Sequence, residues 1–76
     1  PGDTDVMVQK SELKKRLAEL LMRLDERERR VVALYYYENL TLREIGQLLY
    51  ISESMVSNIR SRAVRKIKQE ILLDGI

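Results

Sequence analysis

The sequence predicts an all-α fold, a small four-helix domain containing a helix-turn-helix. Three observations predict it. Apolar residues recur at spacings of three and four along most of the chain, which is the signature of helices with one buried stripe. No segment alternates with period two, so strands are not expected. Each apolar stretch is preceded by a serine, threonine or aspartate in the position of a helix N-cap. At 76 residues the chain is one domain, near the lower limit for an independent core, and it contains neither cysteine nor histidine. Disulfide staples and the usual zinc sites are therefore excluded, and side-chain packing must hold the fold.

The elements follow in order. Residues 1–10 have no clear amphipathic period and read as a disordered or linker segment. Together with the absence of an initiator methionine, this suggests a piece of a longer protein. The domain proper spans 11–76. Ser11 can cap a first helix whose stripe is Leu13, Leu17, Leu20, Leu21 and Leu24. Asp25, with Glu28 three residues on, forms a capping-box pattern that opens a second helix carrying Val31, Leu34 and Tyr35 inward, with Asn39 as its stop. Thr41 and Glu44 repeat the box ahead of a short helix through Leu42, Ile45, Leu48 and Leu49. Ser52 caps the last and longest helix, with Val56, Ile59, Ala63 and Ile67 inward. Tyr35, Tyr36 and Tyr37 are consecutive and spread around most of a helix. One is expected inside and the others half exposed, where an aromatic can also anchor a partner.

Residues 42–69 supply the parts of a helix-turn-helix. Ile45 and Leu49 face inward, Gly46 allows the next helix to approach closely, Ile51 plugs the turn, and Val56 with Ile59 closes the core. Glycine in a helix interior costs about 1 kcal/mol relative to alanine, which argues for a packing reason at Gly46. Tyr50 stands where such turns favour glycine because the backbone takes positive φ, a conformation strained for tyrosine.

Charge separates the two halves. Residues 1–40 hold eight basic and eight acidic side chains, whereas 41–76 hold six and four, so the whole excess of +2 lies in the second half. Arg60, Arg62, Arg65, Lys66 and Lys68 fall in nine residues without an acid, either the footprint of a polyanion partner or a solvated helix face. On a helical wheel, Ser54, Asn58, Ser61 and Arg65 lie opposite the inward stripe, flanked by Ser57, Arg62 and Lys68. Short polar groups near the N-terminus suit base edges, and the cations beyond suit phosphates. Asn58 is the best single candidate for base readout, because its amide can pair bidentately with adenine. Glu53 can accept from cytosine or serve the helix dipole. The Thr41 and Leu42 amides, with Arg43, are placed to meet a phosphate.

With these residues in place, a resemblance is visible. The run LDERERRVVALYYYENLTLREIGQLLYISESMVSNIRSRAVRKIKQ, residues 24–69, resembles region 4, the C-terminal promoter-recognition domain of bacterial RNA polymerase sigma factors. The motility or flagellar type is nearest, through LYYYENLTLREIG and SESMVSNIRSRAVRKIK. Tyr50 and Met55 depart from the family pattern. The resemblance implies that Glu53, Ser54, Ser57 and Asn58 face bases of the minus-35 element and that Thr41, Leu42 and Arg62 hold the DNA backbone; the wheel and the charges add Arg43, Ser61 and Arg65 as backbone candidates. It also implies a helix-in-groove contact for the polymerase β flap, drawing on Leu17, Leu20, Leu21, Val31, Leu34 and Tyr35, and an anti-sigma protein as a further partner.

No catalytic constellation can be assembled without histidine, cysteine or a phosphate-cradling glycine loop, so neither an enzyme nor a cofactor is expected. The absence of a long apolar run or signal peptide gives the expectation of a cytoplasmic protein with no membrane or small-molecule partner. Two alternatives stay open: a response-regulator or repressor type of helix-turn-helix, and a protein-interaction module that binds polymerase or a regulator without docking on DNA.

Overall fold

The computed structural model describes the backbone of residues 2–73 and the side chains of 11–73. Its helices are α1 (Gly2–Met22), α2 (Glu26–Val32), which continues into a π-helical turn (Ala33–Tyr37), α3 (Leu42–Leu49) and α4 (Glu53–Leu73). α1 begins at Gly2, upstream of the Ser11 cap expected from the sequence, so the segment read as disordered or linker is helical over residues 2–10. Passing a helix through one serine costs only a few tenths of a kcal/mol. Pro1 and residues 74–76, which the sequence placed at the two ends of the chain, lie outside the described residues. No helix among the described residues is long and apolar enough to cross a membrane.

The three expected caps after α1 are all formed. Asp25 accepts from the Glu28 amide at 2.8 Å while the Glu28 carboxylate accepts from the Asp25 amide at 2.9 Å. Thr41 and Glu44 make the same reciprocal pair, and Ser52 accepts from the Met55 amide at 3.0 Å. Each box satisfies two of the donors that a helix start leaves without partners.

α4 is the wall on which both α2 and α3 pack. Its Val56 and Ile59 meet Val31 and Ile45 in one fully buried cluster, closed by Leu34, Tyr35, Leu40, Leu42, Leu49 and Ile51. One turn along, Ala63 meets Leu24 and Val32 in a second cluster flanked by Leu21 and Ile67. Each fully buried valine or isoleucine contributes about 1.5–3 kcal/mol of transfer free energy. α1 leans on the far end of α4, where Arg23, just past its last residue, pairs with Glu70 at 2.8 Å, and in the link to α2 the Arg29 guanidinium donates to the Leu24 carbonyl oxygen.

The turn between α3 and α4 has the expected tight geometry. A Cβ on Gly46 would stand 2.7 Å from the Ile51 carbonyl oxygen, so only glycine fits without moving backbone. Tyr50 has φ 58° and ψ 43°, the left-handed conformation, and the Ile51 amide reaches back to the Gly46 oxygen at 3.0 Å. This is the helix-ending arrangement that glycine normally serves. The Tyr50 ring is 94% exposed and contributes no packing in return. Asn39, also at φ 58°, ends the preceding helix in the same conformation, which asparagine tolerates well.

Two substitutions test this turn. Tyr50→Gly removes the left-handed penalty of about 1–2 kcal/mol but adds freedom to the unfolded chain, so thermal melts should show a net gain of about 0.5–1 kcal/mol. Gly46→Ala should lose about 1–3 kcal/mol despite alanine's better helix propensity, because the Ile51 backbone must move.

Candidate nucleic-acid interface

The buried stripe of α4 fixes which residues it presents. With Val56, Ile59 and Ala63 fully buried, Ser54, Asn58, Ser61 and Arg65 stand on the opposite, exposed side, and Glu53 is exposed in the first turn. Ser57 is half buried beside them. These residues, expected from the wheel, share one face. At the start of α3, Thr41 and Arg43 are exposed and Leu42 is half buried against the core. The Thr41 amide differs from the expectation. It donates to the Glu44 carboxylate at 2.9 Å, so the amides at the open end of α3 are those of Leu42 and Arg43.

The nine-residue basic run is not one stripe. The helical period distributes it over three sides of α4, and three of its five cations are engaged within the domain. Lys66 makes a 2.8 Å bond to a Glu28 carboxylate oxygen, and the Arg62 Nε lies 3.8 Å from the other. Glu28 itself is only 1% exposed. On the other flank the Arg60 guanidinium stacks over Tyr35, 5.0 Å from the ring centroid, and Tyr35 meets Tyr36 edge to face at 4.8 Å. Among the described residues, Arg65 and Lys68 have neither an ion pair nor a ring contact, and Arg65 alone of the run projects from the centre of the polar face.

The six residues expected to form one apolar contact are divided by the fold. Leu20 and Val31 are buried in the core, and Leu34 and Tyr35 pack on the helix-turn-helix cluster, so the six residues expected to form one contact surface do not gather there. Leu17 and Leu21 instead line a groove of about 360 Å³ with Val32, Tyr36, Tyr37, Val64, Ile67 and Lys68. The π-helical turn accounts for the place of Tyr37 in it. Its Glu38 amide bonds to the Ala33 oxygen, five residues back, and Tyr37 follows Val32 by the same interval, one wide turn onward on the groove side. Regular α-helical periodicity places the following face one residue earlier. The sequence signals for this groove were Leu17 and Leu21 in the expected contact set and the tyrosine triplet.

A short helix with glycine-mediated close approach, a tight turn and a second helix presenting small polar groups defines a DNA-binding helix-turn-helix domain. The chain belongs to the sigma-70 region 4 family, whose family model, "Sigma-70, region 4", matches residues 20–69. Among curated proteins, it is 49% identical to the RNA polymerase sigma-D factor of Bacillus subtilis over 61 residues, covering 80% of this chain and 24% of that protein. It is 41% identical to the RNA polymerase sigma factor FliA of Escherichia coli K12, over 80% of this chain and 26% of the relative. For the FliA protein of Pseudomonas aeruginosa the identity is 46% over 72% of this chain and 22% of the relative. The chain thus spans about a quarter of the relatives it matches. No solved structure matches it.

The capping carboxylates carry a pH dependence. The Asp25 carboxyl is held below its ordinary value of 3.8, first by the Glu28 amide and further by the Lys66 and Arg62 charges. The Glu44 carboxyl is held below its ordinary 4.5 by the Thr41 amide and hydroxyl. Each lowered group stabilises the fold fully above its ordinary value, and the contribution disappears as pH falls through the lowered one. Thermal melts should therefore be flat in this respect near neutrality and decline as pH drops below about 4.5. In Glu44→Gln, with no charge to lose at that box, the decline should be shallower.

Proposed function

We propose that this domain recognises the minus-35 element of promoter DNA as the C-terminal region of a sigma factor, directing RNA polymerase to its start sites in the bacterial cytoplasm. The observation that carries this reading is the exposed polar face of α4, set opposite its fully buried stripe and beginning at the helix N-terminus. In it Glu53, Ser54, Ser57 and Asn58 meet base edges in the major groove. Thr41, Leu42 and Arg43 at the start of α3, with Ser61 and Arg65 along α4, meet the backbone, and Arg62 joins them only by drawing away from Glu28. The relatives' printed names, RNA polymerase sigma factors, support the assignment.

The groove of Leu17, Leu21, Tyr36, Tyr37 and Ile67 supports a second contact on the same domain. It fits the apolar side of an amphipathic helix, and the occupant we assign is the β-flap helix of polymerase, with an anti-sigma protein as a competitor. One module of this size buries little DNA surface, so the isolated domain should bind weakly and rely on polymerase for effective concentration.

Amide chemical-shift titration with a minus-35 duplex at rising salt tests the first contact. Shifts should concentrate at Thr41 to Arg43 and Glu53 to Arg65 and fade with salt. Unmoved resonances there would end the DNA reading. Arg65→Ala should weaken binding to all duplexes and flatten the logarithmic salt slope by about 0.9, whereas Asn58→Ala should relax preference at one base pair, costing about 1–3 kcal/mol of discrimination. For the groove, Leu17→Asp should abolish binding of a flap-helix peptide and leave duplex affinity unchanged.

A further inference from the structure

We infer that Glu28 is a positioning residue for the cationic flank of α4, a buried counter-charge that holds Lys66 and Arg62 back from polyanions and limits sequence-independent binding. The ion-pair geometry carries the inference, and its consequence for promoter DNA rests on the reading above.

Glu28 sits in the first turn of α2, thirty-eight residues from its partner Lys66. One of its carboxylate oxygens, Oε1, accepts both the Asp25 amide at 2.9 Å and the Lys66 ammonium at 2.8 Å. The other, Oε2, is buried without a hydrogen bond, and the cation facing it is the Arg62 guanidinium at 3.8 Å. The two cations differ from Glu28 in exposure: their side chains are 44% and 54% accessible, and the carboxylate is 1%. A phosphate can reach both cations from solvent, but solvent cannot reach the acid.

That asymmetry sets the energetics. A buried carboxylate is tolerated only while paired, and removing one partner leaves an uncompensated charge in a medium that solvates it poorly. Moving Lys66 onto a DNA phosphate would strip Glu28 of its direct ion pair. Drawing Arg62 outward would remove the charge facing the oxygen that has no hydrogen bond. Both cations therefore engage a polyanion less readily than Arg65, which has no acidic partner among the described residues. Simple capping does not require this arrangement. The Thr41–Glu44 box does the same capping work with an exposed carboxylate and no cation attached.

Glu28→Gln keeps an oxygen to accept the Asp25 amide and removes the charge. On immobilised heparin, a polyanion without base sequence, the 76-residue variant should elute at higher salt than wild type. Its elution should also depend more steeply on salt, because each released cation adds one contact that displaces counterions. Glu26→Gln adds the same net charge but frees only Arg30, on the exposed side of α2, and should elute well below Glu28→Gln. Coincident elution of the two variants would overturn the inference, because a purely structural role for Glu28 moves a melting curve and not a salt slope.

Wild-type protein gives an independent readout if Glu28→Gln does not fold. In a titration with inorganic tripolyphosphate, the Arg65 Nε–H resonance should shift while the Arg62 Nε–H and Lys66 ammonium resonances stay near their starting positions. Equal shifts at all three would also overturn the inference. If the heparin difference holds and neither protein binds a minus-35 duplex, the counter-charge stands and the promoter reading fails.

Discussion

The structure depends on the apolar stripe of α4. Val56 and Ile59 close one core against α2 and α3, and Ala63 closes a second against the end of α1 and α2. Because one helix supplies both, its rotation about its own axis is fixed twice, a turn apart. That double constraint determines which residues point outward. Ser54, Asn58, Ser61 and Arg65 share a face because Val56, Ile59 and Ala63 cannot face anywhere but inward. Gly46 adds the third restraint by admitting the α4 entry turn to within van der Waals distance of α3. The presenting face is thus a consequence of packing that it takes no part in.

The same rotation apportions the charges. A helix of 3.6 residues per turn cannot keep Arg60, Arg62, Arg65, Lys66 and Lys68 on one side, so the sequence run becomes three groups with different surroundings. One flank meets an acid that α2 has buried, the other meets the Tyr35 ring, and the centre meets solvent. Net charge counts these cations equally, whereas their availability to a phosphate depends on what each would leave behind. The desolvated carboxylate is the most costly partner to abandon, an aromatic face less so.

Local signals were legible in the sequence and long-range ones were not. The Asp25, Thr41 and Ser52 caps could be read because each bond spans three residues and depends on side-chain type alone. The outward face of α4 could be read because it is the complement of an apolar period. The positive φ at Tyr50 could be read from turn stereochemistry, with glycine the residue expected there. By contrast, the burial of Glu28 depends on a partner thirty-eight residues away, and its cap role gave no hint of it. The π-helical turn was equally invisible, since no proline or glycine marks residues 33–37, and the contact set implied by the family resemblance, Leu17, Leu20, Leu21, Val31, Leu34 and Tyr35, included Tyr35 but not Tyr37. The early start of α1 was missed because a plausible cap at Ser11 does not oblige a helix to begin there.

Three choices in this chain run against local optimality: a tyrosine in left-handed conformation, a widened helical turn and a buried carboxylate. Two have visible returns. The widened turn brings Tyr37 to the groove beside Tyr36, and the carboxylate completes a capping box while restraining two cations. Tyr50 has none within the domain, because its ring is almost wholly exposed and its backbone serves a role that glycine fills at lower cost. Sequences that specify one structure usually agree with it at every level, and departures concentrate where a requirement other than folding acts. Apart from Glu28, the packed interior of this domain follows the local rules, and the other two departures lie on surfaces that solvent, or a partner, can reach. Folding alone accounts for the core, the caps and the close crossing of α3 and α4, but not for an exposed aromatic ring at the tip of the turn between them.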